Sequence, residues 1–148
     1  MQRIVLLLIL TALLVPISGQ ASFSPKLFVE TATDKRVYKQ GEPMGMALTV
    51  LNQNSKARQV QFSSAKIYDF HLYNEAEEPV WKWSGDKMFA MALVDLKLEP
   101  KKPLTYVVAF NQILPSGKAL EPGKYRLVGE FCVKGKPYRS KPVEIEVR

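Results

Sequence analysis

Histidine and cysteine are almost missing from this 148-residue chain, which has one of each, His71 and Cys132. A structural zinc site takes about four nitrogen or sulfur ligands, and this pair does not supply them. A lone cysteine also leaves the chain without an internal disulfide, so its stability must come from its core. Glycine is scarce as well, with eight residues; they punctuate turns, and no glycine-rich loop is present to cradle a phosphate. Glu75, Glu77 and Glu78 are clustered, but in a loop where carboxylates serve solvation rather than calcium binding. No cofactor and no metal are therefore expected. Helical periodicity is missing beyond the first twenty residues or so, as is any second long apolar run.

The first apolar run has a recognisable grammar. Arg3 precedes the stretch Ile4 to Val15, Pro16 breaks it, and Ser18-Gly19-Gln20-Ala21 supplies small residues. That order reads as a secretory signal peptide over residues 1–21, cleaved after Ala21. The run falls short of the roughly 20 residues that span a bilayer. No cysteine lies near the cleavage point to carry a lipid. Residues 22–148 are expected to form one domain, secreted or held in the cell envelope, with no stable membrane insertion after cleavage. Loss of Arg3 lowers the formal charge from +7 to +6. The cations are scattered and mixed with carboxylates, which argues against nucleic-acid binding. They favour encounter with acidic proteins or anionic envelope polymers.

What the remaining chain has in abundance is alternation. Val94, Leu96 and Leu98 interleave with Asp95, Lys97 and Glu99; Val143, Ile145 and Val147 interleave with Glu144, Glu146 and Arg148. Successive side chains of a strand point to opposite faces, so each segment has one core face and one wet face. The same pattern covers Leu27 to Thr31, Met46 to Asn52, Gln59 to Phe62, Ile67 to Tyr73, Val80 to Trp83, Leu104 to Phe110 and Tyr125 to Val133. Turn residues separate them, among them Gln40-Gly41-Glu42-Pro43, Ser84-Gly85-Asp86, Pro115-Ser116-Gly117 and Pro122-Gly123. About seven to nine short strands without helices predict an all-β, immunoglobulin-like antiparallel β-sandwich. Tyr125, entering its strand from the Pro122-Gly123 turn, fits a tyrosine corner. Alternation puts Tyr125, Leu127, Gly129, Phe131 and Val133 on one face and Cys132 on the other, off the main core.

Catalytic chemistry is thin. Asp69 and His71 share a face, with Ser63 and Ser64 close in sequence, yet no nucleophile elbow surrounds either serine. Cys132 and His71 carry no local signature of a thiol nucleophile. No enzyme is expected. The densest chemistry is aromatic: Tyr68 and Phe70 on one strand, Trp81 and Trp83 on the next, joined by a hairpin at Asn74 to Glu78. Four such rings meeting across strands would form the centre of the core; an exposed tryptophan face would instead make a carbohydrate or peptide platform.

Tyr68-Asp69-Phe70, Val80-Trp81-Lys82-Trp83-Ser84 with Met88-Phe89, Glu99-Pro100 before Leu104 to Phe110, and Pro122-Gly123-Lys124-Tyr125 together resemble the BsuPI family of intracellular proteinase inhibitors. The likeness runs from about Leu27 to Val133. It implies a small immunoglobulin-like β domain and inhibition of a subtilisin-type serine protease. An export signal would move that target to the envelope or the medium. An inhibitor of this kind presents a stiff loop on a rigid scaffold. Two loops qualify: Ser84 to Ala90, with Lys87, Met88 and Phe89, and Asn111 to Gly123, with Ile113 and Leu114; the alternative is that Met88 and Phe89 fold back onto the core and Leu114 covers the sandwich end. The alternative function is a non-inhibitory adhesion or assembly module that binds envelope polymer or another envelope protein.

Overall fold

The structure, a computed structural model, describes residues 27–148. The expected signal peptide, its cleavage point and residues 22–26 lie outside the described residues. The chain forms β1 Leu27–Thr33, β2 Val37–Tyr38, β3 Met44–Asn52, β4 Arg58–Phe62, β5 Tyr68–Asn74, β6 Pro79–Lys82, β7 Val94–Leu98, β8 Pro103–Phe110, β9 Gly123–Phe131, β10 Tyr138–Arg139 and β11 Val143–Val147. Among the described residues there is no α-helix, only a 3-10 turn at Trp83–Asp86. Each of the nine alternating segments overlaps a strand, with Ile67, Trp83 and Cys132-Val133 falling outside the strand ends. The two additional strands, β2 and β10, have two residues each, too few for alternation to register.

One sheet has the order β1-β3-β8, a second has β2-β11-β9-β5-β6 with β10 also on β9, and β4 and β7 pair as a third of two strands. Pairing is antiparallel except for β2, which runs parallel to β11. Strands β4 and β7 continue the β3-β8 ladder past a kink, since Leu51 pairs with Pro103 and Arg58 with Leu98. Asn52 holds that kink. Its buried amide donates to the carbonyls of Lys56 and Leu98, both at 2.9 Å, and its oxygen accepts from the Asn54 backbone. The kinked pair folds over one end of the sandwich and brings Phe62 edge-on to Phe131, with centroids 5.1 Å apart.

The core is where alternation places it. Met44, Met46, Leu48 and Val50 of β3 are buried and face Tyr125, Leu127 and Phe131 of β9. Burial of each is worth about 1.5–3 kcal/mol. Gly129 sits where β1 crosses β9, and a Cβ there would come within 2.2 Å of Thr31 Oγ1 and 2.5 Å of Leu48 Cδ1. Only a glycine lets the two sheets approach this closely. Thr31 Oγ1 and Ser140 Oγ share a buried hydrogen bond at 2.8 Å, and the Gly129 N–H donates to Ser140 Oγ at 3.1 Å. Tyr125 makes the expected corner: its hydroxyl donates to the Glu121 carbonyl at 2.6 Å. The fold is an immunoglobulin-like β-sandwich.

The expected strand Val80 to Trp83 is corrected at its end. β6 stops at Lys82, and Trp83 begins the 3-10 turn, so Trp81 and Trp83 do not share a strand face. The four-ring cluster divides accordingly. Trp83 stacks on Tyr68 with centroids 4.6 Å apart, whereas Trp81 stacks on Phe110 of the opposite sheet at 4.1 Å. Of the four expected core rings, Phe70 alone is fully buried; the other three pack against the core while partly exposed.

Candidate functional site

Asp69 is the reason the chain turns at Trp83. Its carboxylate has no exposed surface, and it accepts from the Ser84 hydroxyl at 2.6 Å, the Ser84 N–H at 3.1 Å and Lys66 Nζ at 3.2 Å. Lys82 Nζ lies 3.7 Å away. Burial alone would raise this carboxyl, but the bonds from Ser84 and Lys66 outweigh it and hold the group below its ordinary range. A charge this deep is tolerated because donors surround it. The clamp fixes the first residue after Trp83 and hence the whole loop that follows.

Beyond the clamp, Lys87 leaves the turn with extended backbone at φ −115° and ψ 149°. Its ammonium donates to the Trp83 carbonyl at 2.9 Å and lies 4.9 Å above the Trp83 ring. Phe89 folds back against Trp83, with centroids 5.9 Å apart, and the Ala65 N–H donates to the Ala90 carbonyl at 2.9 Å. Met88, held between these two anchors, is fully exposed. Met91 and Leu93 are also exposed, at 87% and 59%.

The second loop is braced from beneath by a side chain with no exposed surface, Gln112. Its amide donates to the carbonyls of Lys39 at 2.9 Å and Glu42 at 2.7 Å, and its oxygen accepts from the Gly41 N–H at 3.1 Å. Gln112 adopts φ 58° to do this, a left-handed conformation that needs such over-determination. Above it, Ile113 bridges Ala119, Leu114 N–H donates to the Lys118 carbonyl, and Gly117 turns the chain at φ 79°. The result is a small, closed hairpin. Ile113 is 51% exposed while Leu114 packs against the core.

Both loops line one groove of about 640 Å³, in which Lys87 of the first meets Ile113 and Leu114 of the second. Trp81, Phe110 and Trp83 supply its aromatic wall, with Lys82, Asp86 and Asn111 as polar groups. Met88 and Phe89 stand outside that lining. Each expected apolar pair has therefore separated into one presented and one anchored residue: Met88 with Phe89, and Ile113 with Leu114. Gln112 and Asp69 went unrecognised as braces, because nothing local marks a buried polar side chain. Met91 and Leu93 had a legible signal, the charge-free run Met88 to Val94.

The other candidate residues do not come together. Ser64 Oγ accepts from the Lys66 backbone, and the serine that bonds Asp69 is Ser84 rather than Ser63 or Ser64. His71 is 3.7 Å from Glu130 and stacks loosely on Tyr73. Burial lowers its imidazole, and Asp69 and Glu130 only partly offset this. Cys132 lies on the Glu130 side of its strand and is partly buried; its Sγ is 3.7 Å from Glu130 Oε1. Burial first, then the Glu130 charge, push the thiol up to about 12, so it is not an activated nucleophile. Among the described residues no group of three His, Cys, Asp or Glu is placed to hold a metal, and no helix is long and apolar enough to cross a membrane.

Solved structures with similar folds come from proteins of unlike function. A β-glucosidase from Erythrobacter marinus superposes with a TM-score of 0.50 at 11% identity over 84% of this chain, which spans 16% of the enzyme's length. The sporulation control protein Spo0M from Bacillus subtilis gives 0.49 at 16% identity, covering 82% of this chain and 49% of that one. A CARDB domain from Pyrococcus furiosus, in complex with di-metal ions, gives 0.48 at 13%, covering 84% and 89%. At 11% identity the likeness to the glucosidase is one of fold alone. No curated protein sequence matches the chain. The family comparison is specific: the model described as BsuPI, intracellular proteinase inhibitor, matches residues 31–136, and the chain belongs to that family.

Proposed function

We propose that the chain is an exported inhibitor of a subtilisin-type serine protease, and that the rim formed by Ser84 to Leu93 and Asn111 to Gly117 makes the contact. Membership of a proteinase-inhibitor family supports the inhibitory role. The observation that carries the site is the separation at each loop, with Met88 and Ile113 presented while Phe89 and Leu114 are anchored. A loop already stiff before contact loses little conformational entropy when it binds, so more of the contact energy appears as affinity. Met88, unbranched and flexible, suits a protease pocket for large apolar side chains. The signal-like segment at residues 1–21 supports a target outside the cytoplasm.

The test is titration of the protein against subtilisin-like and trypsin-like proteases. Near-stoichiometric loss of activity is expected for at least one subtilisin-like enzyme. Digestion of the protein without inhibition would sink the proposal. Salt-sensitive retention on envelope fractions in place of inhibition would favour the adhesion module instead.

A further inference from the structure

Among the described residues β4 and β7, each of five residues and each charged, are both edges of their two-stranded sheet; of the four edge strands of the two larger sheets, three are protected against further pairing. β2 has two residues. β6 has four, opens with Pro79, ends at Lys82 and pairs with β5 through an irregular register at Leu72 and Tyr73. β1 carries Glu30 and lies against β9, β10 and β11, with Thr31 tied to Ser140. Short length, proline, bulges, charge and cover are the devices by which edges are kept from pairing.

β8 shares only an opening proline with them. Its eight residues, Pro-Leu-Thr-Tyr-Val-Val-Ala-Phe, hold no charge, and its one proline is the first residue. It pairs with β3 in unbroken register from Met44 and Phe110 to Leu51 and Pro103. Among the described residues no strand pairs with its other side. Val107, at its centre, is 72% exposed. A long, regular, uncharged edge is a template for another strand.

We propose that the occupant is β8 of a second copy, paired antiparallel about a two-fold axis. Paired residues in an antiparallel sheet point to the same face, so the two residue numbers in each pair must have an even sum. A two-fold at Val107 meets that condition. It sets Val107 against Val107 and Thr105 against Ala109 on the outer face, and Tyr106 against Val108 and Leu104 against Phe110 on the inner face. Every pair is uncharged, so two copies of a chain of formal charge +7 meet along this strand without like charges opposed. The two three-stranded sheets become one of six strands. The interface is isologous and closed. A single strand pair falls in the small interface class, under about 1,200 Å², so the dimer is expected to dissociate in the micromolar-to-millimolar range.

The test is sedimentation of the exported chain from about 10 µM to about 1 mM under reducing conditions, which removes any link through Cys132. The wild type should pass from monomer to dimer, and the β8 amides should exchange more slowly as concentration rises. Val107→Lys puts a charge against its own copy and should stay monomeric with an unchanged Tm. Thr105→Lys is the second variant if the first loses stability. A wild type that stays monomeric throughout would overturn the proposal, as would a dimer that persists in both variants. Protection of β8 only on addition of another protein would assign the edge to a different occupant and overturn it too.

Discussion

Two side chains show how much a single position controls. Gly129 is the contact between the sheets, and its missing Cβ is what lets Thr31 and Leu48 approach. Gly129→Ala is expected to cost about 2–4 kcal/mol, because neither the Thr31–Ser140 bond nor the β1 backbone can yield without loss elsewhere. Chemical denaturation checks it: the midpoint should fall without a change in m-value. Asp69 is the electrostatic counterpart. Asp69→Asn removes a buried charge from Lys66 and a two-point acceptor from Ser84, at an expected cost of about 2–4 kcal/mol. Its second effect is local: amide exchange should quicken across Ser84 to Ala90 while β3 and β9 stay protected near the global limit.

At the scale of elements, the two loops differ in what holds them. Ser84 to Leu93 depends on one carboxylate and on Trp83, over which Lys87 and Phe89 fold. Asn111 to Gly123 is an internally bonded hairpin on a buried amide. Gln112→Ala would leave the Glu42 carbonyl and the Gly41 N–H without their partner and the Lys39 carbonyl with only the Glu42 N–H, a loss of about 2–3 kcal/mol. Limited proteolysis should then cut within 113–118, where the wild type resists. Presented and anchored residues should also differ in effect. Met88→Asp and Ile113→Asp are expected to weaken inhibition by at least about tenfold with an unchanged Tm. Phe89→Ala should lower loop order and inhibition together.

Across the whole molecule, the polar cluster on the outer face of β5 and β9 makes the fold acid-sensitive. His71 and Asp69 both titrate below their ordinary values. In each case the folded state binds its proton less readily than the unfolded chain, so the stabilisation is present above the unfolded pKa and is lost as pH falls towards the folded one. For His71 that loss begins below about 6.5, and for Asp69 below about 3.9. The unfolding free energy should therefore decline in two stages on acidification. His71→Gln should flatten the upper stage and leave the lower, which urea titrations at stepped pH will show. Cys132, with its thiol pushed up to about 12, should react slowly with thiol reagents at neutral pH in the folded protein and rapidly once it is unfolded.

Sequence alone determined the strands, the sandwich and the family. Alternation is local: Met46 to Asn52 or Val143 to Val147 declares its buried face whatever lies across from it, and the Tyr125 corner is written in adjacent residues. The two candidate loops stand out for the same reason, as apolar residues set among turn formers. Short or cooperative features were not. β2 and β10 are too brief to alternate, and Trp83 left its strand because a carboxylate fifteen residues earlier captured Ser84. Only the tertiary structure decided which residue of each apolar pair faces solvent, since that depends on Trp83 beneath one loop and the core beneath the other. Likewise, β8 became an open edge only through the order of strands in the sheet. Periodicity records which way a side chain points, and contacts between distant residues decide what it meets there.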